Sequence, residues 1–169
     1  HPKLYELPGI ENSGGSLGQG ISLACGYAIA AKRFSKKKIP KVYCVMGDGE
    51  QNEGQVWEAA MFAGHNKLSN LCVIVDINKI QIDGYTKDIL DMEPFKKKYE
   101  SFNWNAIRIN GNDHHSLLKA YNKFLNYKGS KPSIILADTL AGKGLKSIEG
   151  LVSAHGQPIL ESHVKEIKV

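Results

Sequence analysis

Short apolar runs alternate with longer segments of helical periodicity along most of this chain. Small or apolar residues recur at three- and four-residue spacings in the longer segments, and the short runs are rich in β-branched residues. The pattern predicts helices at 17–34, 53–67, about 94–102 and from Asp113 to about Tyr127, and strands at 41–46, 71–77, about 104–109 and 133–138. The first two strands are apolar enough to be buried.

Apolar strands separated by helices predict a parallel sheet that is covered on both faces and joined by right-handed crossovers. We therefore expect an α/β fold, a doubly wound parallel sheet with helices on both faces. No internal repeat, low-complexity tract or linker divides the chain, so we expect one domain over residues 1–169. The tail after Gly150 shows no clear periodicity, and we expect a loop there.

Composition supports this interpretation, since 169 residues with 42% hydrophobic content can bury a real core. No apolar run approaches the roughly 20 residues of a membrane helix, and no secretory signal is visible. We expect a soluble, cytoplasmic protein that does not bind membranes. Because the chain begins at His1 without a methionine, we also expect that the N-terminal part of the domain is missing.

The formal charge of +5 comes largely from two short lysine clusters, 36–38 and 96–98. Neither cluster is interleaved with aromatic residues or belongs to a recognisable nucleic-acid-binding module. Solvated helix ends are the better interpretation, so we expect no nucleic acid partner. Cys25, Cys44 and Cys72 lie in apolar segments without a CxxC pair, which is typical of reduced core residues.

Polar residues follow the first two predicted strands at the points where they end. Gly47-Asp48-Gly49 follows the first strand, and Asn78 follows the second, thirty residues later. Parallel strands end at the same edge of a sheet, where ligands bind, so we expect Asp48 and Asn78 to lie side by side.

Carboxylate and amide oxygens suit Mg²⁺, with Ca²⁺ as an alternative, and Mg²⁺ commonly completes its shell with phosphate oxygens. The glycines allow close approach of the backbone, and a following helix directs its N-terminus toward an anion. The residues therefore favour a metal-bridged diphosphate. Taken alone, Gly-Asp-Gly is more often a tight turn and a lone Asn a loop cap.

The two elements together resemble the thiamine diphosphate signature. GDGEQNEGQVWEAA and NKIQIDG are similar to transketolases, and most similar to the N-terminal subunit of transketolases split over two chains. Residues 1–22, AGKGL at 141–145 and Ala-His-Gly at 154–156 resemble further transketolase segments in the same order. The resemblance covers the chain to about Pro158.

The resemblance implies a metal site and a diphosphate site. Asp48, Asn78 and the main-chain oxygen of Ile80 match the metal ligands of the family. The positions that match cofactor-binding residues on the diphosphate side are Gly47, Asp48, Gly49, Glu50 and Asn78.

Further matching positions surround the cofactor rings and the substrate channel. Gly15 and Leu17 match residues that pack against the rings, although GGSLGQG is equally a glycine-rich helix entry. His1 and His155 match channel histidines implicated in proton transfer and in binding substrate or cofactor, a role that imidazole suits near neutral pH. Glu53 matches an acidic residue in a carboxylate network between paired active sites; the alternative is an acid favoured at a helix start.

The resemblance also implies the reaction. Transketolases transfer a two-carbon ketol unit from a ketose phosphate to an aldose phosphate, using thiamine diphosphate and magnesium. In the family the glutamate that activates the aminopyrimidine belongs to a separate pyrimidine-binding domain, so we expect a partner subunit that carries this domain, in a homodimer or heterotetramer.

Three departures from the family pattern stand out. Ser16 replaces a common proline, Asn112 stands where Asp-Gly-His-Asp has its histidine, and the segment before His1 is missing. We expect the function of that histidine to be absent, whereas Asp113 remains as a helix N-cap.

Rival functions remain open at this stage. The first is another thiamine diphosphate enzyme, either a 2-oxoacid dehydrogenase α-subunit or a deoxyxylulose phosphate synthase. The second is a non-catalytic structural or regulatory subunit. A P-loop is excluded because Ala137 and Gly144 replace its glycine and its Ser or Thr, and the remaining histidines show no zinc-site spacing.

Overall fold

The computed structural model describes residues 1–156 and 158–167. Its helices are α1 (Gln19–Phe34), α2 (Gly54–His65), α3 (Thr86–Ile89), α4 (Phe95–Ser101), α5 (His114–Asn126) and α6 (Glu161–Val164). Its strands are β1 (Val42–Gly47), β2 (Leu71–Ile77), β3 (Ile80–Gln81), β4 (Gly84–Tyr85), β5 (Asn105–Asn110) and β6 (Ser133–Asp138). Short 3₁₀ turns cover Gly49–Asn52 and Val152–Ala154.

Four of the strands form one parallel sheet in the order β1-β2-β6-β5. The parallel sheet predicted from the sequence is thereby confirmed. Near its C-terminal edge, Gly47 of β1 lies opposite Asp76 of β2, which lies opposite Ala137 of β6. The residues that follow these three positions therefore gather at one edge.

Helices cover both faces of the sheet. Ile21, Val56 and Tyr99, from α1, α2 and α4, belong to the larger buried cluster on one face. On the other face, α5 contributes Ala120 and Phe124 to a smaller cluster. Asp113 begins α5 as predicted, since its carboxylate accepts hydrogen bonds from two main-chain N–H groups of the first turn.

Strand β1 is buried on one face of the sheet only. The prediction that this strand is buried is therefore wrong for its second face. Cys44 and Met46 are buried, whereas Tyr43 is 46% exposed and Val45 is 73% exposed. The reason is its position. Among the described residues, β1 pairs only with β2 at the edge of the sheet, and the buried sheet residues of the small cluster under α5 come from β2 and β6.

Some short helices and strands were not predicted from the sequence. β3 and β4 pair as a small antiparallel hairpin that leads into the single turn of α3. In the tail expected to be a loop, the one-turn helix α6 forms at Glu161–Val164. Elements of two to four residues are too short for an apolar period to appear. Gln157 and residues 168–169 of that tail lie outside the described residues.

The three cysteines are free and buried, as expected. Burial raises the pKa of Cys25 to about 11 and that of Cys72 to about 12, so these thiols stay protonated and pack as core side chains at neutral pH. No helix among the described residues has both the length and the apolar character needed to cross a membrane.

Candidate cofactor and metal site

The carboxylate of Asp48 lies at the C-terminal end of β1 and is only 3% exposed. Its Oδ1 atom accepts the main-chain N–H of Gly49 at 2.9 Å, and its Oδ2 atom accepts that of Lys79 at 2.7 Å. The main-chain N–H of Asp48 donates to the carbonyl of Asp76 at 3.1 Å. Asp48 is thereby fastened to the loop that follows β2.

Asn78 occupies that loop, so the structure brings the two residues to adjacent strand ends. Its Oδ1 atom accepts the main-chain N–H of Ile80 at 2.9 Å, and its Nδ2 atom donates to Oδ2 of Asp76 at 3.3 Å. Ile80 follows in β3, with its side chain buried and its main chain paired with Tyr85. The three positions that resemble metal ligands therefore belong to one compact turn system.

Burial raises the pKa of the Asp48 carboxyl, and the nearby Asp76 raises it further. The hydrogen bonds from Lys79 and Gly49 act in the opposite direction because they favour the charged form. Among the described residues, no lysine or arginine forms a salt bridge with Asp48. In the part of the chain that the structure describes, Asp48 therefore has no cationic side chain within salt-bridge distance, although Lys79 and Lys87 line the adjoining cavity.

This donor set fits a hard divalent cation. A carboxylate, an amide oxygen and a main-chain carbonyl are oxygen donors of the kind that Mg²⁺ and Ca²⁺ accept, with positions left for phosphate oxygens. Within residues 1–156 and 158–167, no three His, Cys, Asp or Glu side chains come together as a metal cluster, so the site would rely on amide and main-chain oxygens beside the Asp48 carboxylate. A buried, unbalanced carboxylate is costly, and a bound cation would neutralise it.

A cavity of about 390 Å³ opens beside these donors. Its lining comes from the ends of β2 and β6, from the β3–β4 hairpin, and from the segment before α4. Asp48, Asn78 and Ile80 line it together with Thr139 and Gly150. The candidate metal ligands therefore border a space large enough for part of a cofactor.

The two glycines that flank Asp48 differ in their surroundings. A Cβ on Gly49 would lie 2.6 Å from the side-chain oxygen of Gln81 and 3.0 Å from its Cβ, so a side chain here would displace the end of the Gln81 side chain. A Cβ on Gly47 would meet no atom within 4 Å. Gly49 thus packs closely against Gln81 of the hairpin, and Gly47 leaves open space next to Asp48.

Glu50 makes structural contacts rather than pointing freely into the site. One carboxylate oxygen accepts the N–H of Gly18 at 2.7 Å, and the other accepts the N–H of Gly47 at 3.2 Å. Gly18 is the N-cap of α1 and has a left-handed backbone, φ 78°. Glu50 therefore ties the start of α1 to the end of β1, a contact that sequence reasoning did not foresee.

Glu53 is exposed and stands at the N-cap position of α2 without a side-chain capping bond. Its Cβ packs against the backbone of Gly18, 2.9 Å from where a Cβ on that glycine would lie. The position agrees with a helix-start acid, and the Glu53 carboxylate forms no salt bridge with the described residues.

The N-terminal segment folds back on itself. The ring of His1 lies against the backbone of Gly15, 3.3 Å from the position of a Cβ there, and the N–H of Gly14 donates to the carbonyl of Pro2 at 3.0 Å. Leu17 is 60% exposed just before α1. The structure thus brings His1 and Gly15 together, and it leaves the Leu17 side chain exposed.

His155 follows the 3₁₀ turn Val152–Ala154 and is half-buried. Ala154 packs against Gly142, and Gly150 of the same segment lines the cavity. Its chain segment therefore adjoins the cavity wall, although no hydrogen bond fixes the His155 ring among the described contacts.

Gln51 and Asn112 support the site through contacts that the sequence did not predict. Gln51 is fully buried, donates to the carbonyl of Gly47 at 3.1 Å, and accepts the hydroxyl of Tyr99 at 2.6 Å. The side chain of Asn112 accepts the N–H of Leu140 at 2.8 Å and so anchors the loop after β6. A polar residue inside a short turn carries no periodic signal, so only the coordinates reveal these roles.

Comparison with protein families gives a match over the whole chain. Residues 1–169 match the family model described as transketolase, thiamine diphosphate binding domain. An apulose-4-phosphate transketolase subunit of Phocaeicola vulgatus is 36% identical over 169 residues, covering 99% of this chain and 59% of that protein. The 6-deoxy-6-sulfo-D-fructose transketolase subunit SqwG of a Clostridium species is 40% identical over 162 residues, covering 95% and 58%.

Solved structures of transketolases also match this chain. The transketolase of Leishmania mexicana matches with a TM-score of 0.88 and 36% identity, covering 99% of this chain and 26% of that one. The transketolase of Campylobacter jejuni gives a TM-score of 0.84 at 36% identity, covering 91% and 25%. The chain spans slightly more than half of the subunit relatives and about a quarter of these longer chains.

Proposed function

Because this chain belongs to the transketolase family, through its thiamine diphosphate-binding domain, we propose that it forms the diphosphate- and metal-binding side of a transketolase active site. The complete enzyme would transfer a two-carbon ketol unit from a ketose to an aldose. When bound, thiamine diphosphate supplies a carbon nucleophile that adds to a ketose carbonyl. The residues of this chain bind and orient the cofactor and handle protons.

One observation carries this proposal. The Asp48 carboxylate is buried beside Asn78 at the ends of adjacent parallel strands, with only main-chain N–H groups as described hydrogen-bond donors. A divalent cation held by Asp48, Asn78 and the carbonyl of Ile80 would remove this imbalance and present its remaining positions to a diphosphate. The open space at Gly47 gives the diphosphate room.

Two histidines suit proton handling near neutral pH. His1 packs on Gly15, and His155 follows a segment that adjoins the cavity. We assign both to the channel through which substrate reaches the cofactor. Leu17, exposed beside Gly15, would supply an apolar contact for the cofactor rings.

A partner chain is part of the proposal. Two of the relatives are named as transketolase subunits, and this chain spans 59% and 58% of their lengths. The side of the site that contacts the aminopyrimidine would come from a pyrimidine-domain subunit, in a homodimer or heterotetramer. Glu53 is exposed at the start of α2, and in such an assembly it would join a carboxylate network with a neighbouring active site.

The substrates we propose are ketoses and aldoses with an anionic terminal group, phosphate foremost. The relatives' names mention apulose-4-phosphate and 6-deoxy-6-sulfo-D-fructose, which carry phosphate and sulfo groups. The formal charge of +5 favours the approach of such anions, and Lys79 and Lys87 lie at the cavity.

The test is a titration of thiamine diphosphate with Mg²⁺ into the purified chain, alone and with a candidate pyrimidine-domain partner. We expect Mg²⁺-dependent binding that tightens when the partner is present. Asp48→Ala should largely abolish it, because a small octahedral site loses its only carboxylate ligand. Asp83→Ala is the matched control, since Asp83 is an exposed carboxylate at the tip of the neighbouring hairpin.

Two outcomes would overturn the proposal. In one, the wild-type chain binds no cofactor with or without the partner, which would favour a non-catalytic role. In the other, Asp48→Ala binds as tightly as Asp83→Ala. If binding behaves as expected, ketol transfer between sugar phosphates is the assay to make next.

A further inference from the structure

Asp76 and Thr139 form a short hydrogen-bonded chain that ends on the Asn78 amide. We propose that Asp76 is a positioning residue which, supported by Thr139, determines which end of the Asn78 amide faces the metal. This inference rests on the proposed metal site and adds a residue pair that holds one of its ligands in the binding orientation.

An asparagine amide has two ends of nearly equal size, and only the oxygen can ligate a hard cation. Here Nδ2 of Asn78 donates to Oδ2 of Asp76 at 3.3 Å, while Oδ1 accepts the N–H of Ile80 at 2.9 Å. A rotated amide would set its oxygen against the Asp76 carboxylate and its NH₂ group against the Ile80 N–H. Both contacts would be repulsive, so the two neighbours select one orientation together.

The Asp76 carboxylate is itself fixed. The hydroxyl of Thr139 donates a short hydrogen bond to Oδ1 of Asp76, which leaves Oδ2 for Asn78. The N–H of Thr139 donates to the carbonyl of Ile77 at 3.1 Å, and the carbonyl of Asp76 accepts the N–H of Asp48. The ends of β1, β2 and β6 therefore hold this carboxylate in place.

A second explanation must be separated from orientation. Asp76 also adds a negative charge near Asp48, and that charge alone would attract a cation. Replacing Asn78 with aspartate separates the two effects, because both ends of a carboxylate are oxygens and its orientation no longer matters. If Asp76 acts by orienting the amide, replacing Asp76 should no longer change metal affinity once Asn78→Asp is present. If Asp76 acts through its charge, the change in metal affinity should persist.

The experiment measures Mn²⁺ affinity from the electron paramagnetic resonance signal of free Mn²⁺, at saturating thiamine diphosphate. The proteins are wild type, Asp76→Asn, Asn78→Asp and the double variant. An asparagine at 76 can pair with Asn78 in either orientation, so we expect Asp76→Asn to weaken Mn²⁺ binding about 10–100-fold. We expect a loss below about threefold when Asn78→Asp is already present.

Thr139 gives an independent test with a conservative rescue. Thr139→Val removes the hydroxyl at nearly constant shape and should weaken Mn²⁺ binding, whereas Thr139→Ser keeps the donor and should bind like wild type. Thermal melting without metal checks that each variant folds. A purely structural role would lower the melting temperature of Thr139→Val without changing Mn²⁺ affinity.

The failures are distinguishable. If wild type binds no Mn²⁺ with or without the pyrimidine-domain partner, the metal site itself is wrong and this inference falls with it. If wild type binds Mn²⁺ and Asp76→Asn binds it equally well, the positioning role alone is overturned. The same holds if Asp76→Asn weakens Mn²⁺ binding by the same factor whether residue 78 is asparagine or aspartate. Equal affinities of Thr139→Val and Thr139→Ser would also overturn it.

Discussion

The Oδ2 atom of Asp48 accepts a 2.7 Å hydrogen bond from the main-chain N–H of Lys79, a residue with a left-handed backbone, φ 67°. A side chain with a Cβ costs about 1–2 kcal/mol in that region. This left-handed conformation directs the Lys79 N–H at the buried Asp48 carboxylate, next to the candidate ligand Asn78. Strained backbone at this point is in keeping with a functional turn.

Lys79→Gly tests whether the left-handed backbone at residue 79 or the lysine side chain contributes to cofactor binding. Glycine adopts the left-handed region freely but is more flexible when unfolded, so we expect a net rise of about 0.5–1 kcal/mol in the free energy of unfolding. Urea denaturation measures it, and cofactor binding should be unchanged. Lys67→Gly is the matched control, because Lys67 also has a positive φ, 50°. Weaker cofactor binding in Lys79→Gly alone would show that the lysine side chain takes part.

Tyr99→Phe should destabilise the protein through a single hydrogen bond. The Tyr99 hydroxyl donates to Oε1 of Gln51 at 2.6 Å, and both residues are fully buried. The variant leaves Oε1 without a donor, at a cost of about 1–3 kcal/mol in unfolding free energy. Tyr27→Phe is the control, since that exposed hydroxyl makes only a 3.4 Å contact. Equal effects of the two variants would contradict the role of the buried bond.

Gly64→Ala should lower stability although alanine is the better helix former. A Cβ at this position in α2 would lie 1.8 Å from the carbonyl oxygen of Phe102, so the backbone after α4 must move. We expect a loss of about 2–3 kcal/mol or more in calorimetry or urea denaturation. Gly26→Ala in α1 meets no atom within 4 Å and should gain about 0.5–1 kcal/mol. A stabilised Gly64→Ala would refute this close approach.

Asp138→Asn should destabilise the protein in a pH-dependent manner. Two nitrogens of Arg108 each donate to the Asp138 carboxylate at 2.7 Å, and this pairing lowers the pKa of Asp138 below its usual 3.8. A lowered folded-state pKa gives stability that is present above the unfolded pKa and is lost as pH falls through the folded pKa. Both side chains are about a third exposed, so we expect about 0.5–1 kcal/mol at pH 7.

Urea denaturation between pH 7 and pH 2 measures this effect. The difference between wild type and Asp138→Asn should shrink below about pH 4 and vanish once the Asp138 carboxyl is protonated in the folded state. A difference that stays constant over the whole range would show that the ion pair is not its cause.

The sequence was sufficient to predict the sheet and the meeting of Asp48 with Asn78. Parallel strands joined by helices must end at one edge, and two polar residues that follow successive strands therefore become neighbours. Predicting that Asp48 and Asn78 are neighbours requires only the periodicity of the apolar residues and the positions of the polar residues after each strand, and both can be read from a single sequence.

Other features depend on neighbours that no local pattern identifies. The uncovered face of β1 follows from its edge position, since Val45 looks like a core residue in the sequence. The contacts of Gln51 and Thr139 join residues far apart along the chain. Asn112, which stands where the family has a histidine, makes a structural contact of its own, because its amide oxygen accepts the N–H of Leu140.

Glu50 also has an electrostatic consequence for the whole site. The N-terminus of a helix carries about half a positive charge, and at α1 the Glu50 carboxylate already accepts the N–H of Gly18. This internal counter-ion makes α1 a poor anchor for an anion. The charge of a bound diphosphate would then be neutralised by the cation at Asp48 together with Lys79 and Lys87 at the cavity, so a chelator that removes the metal should weaken cofactor binding.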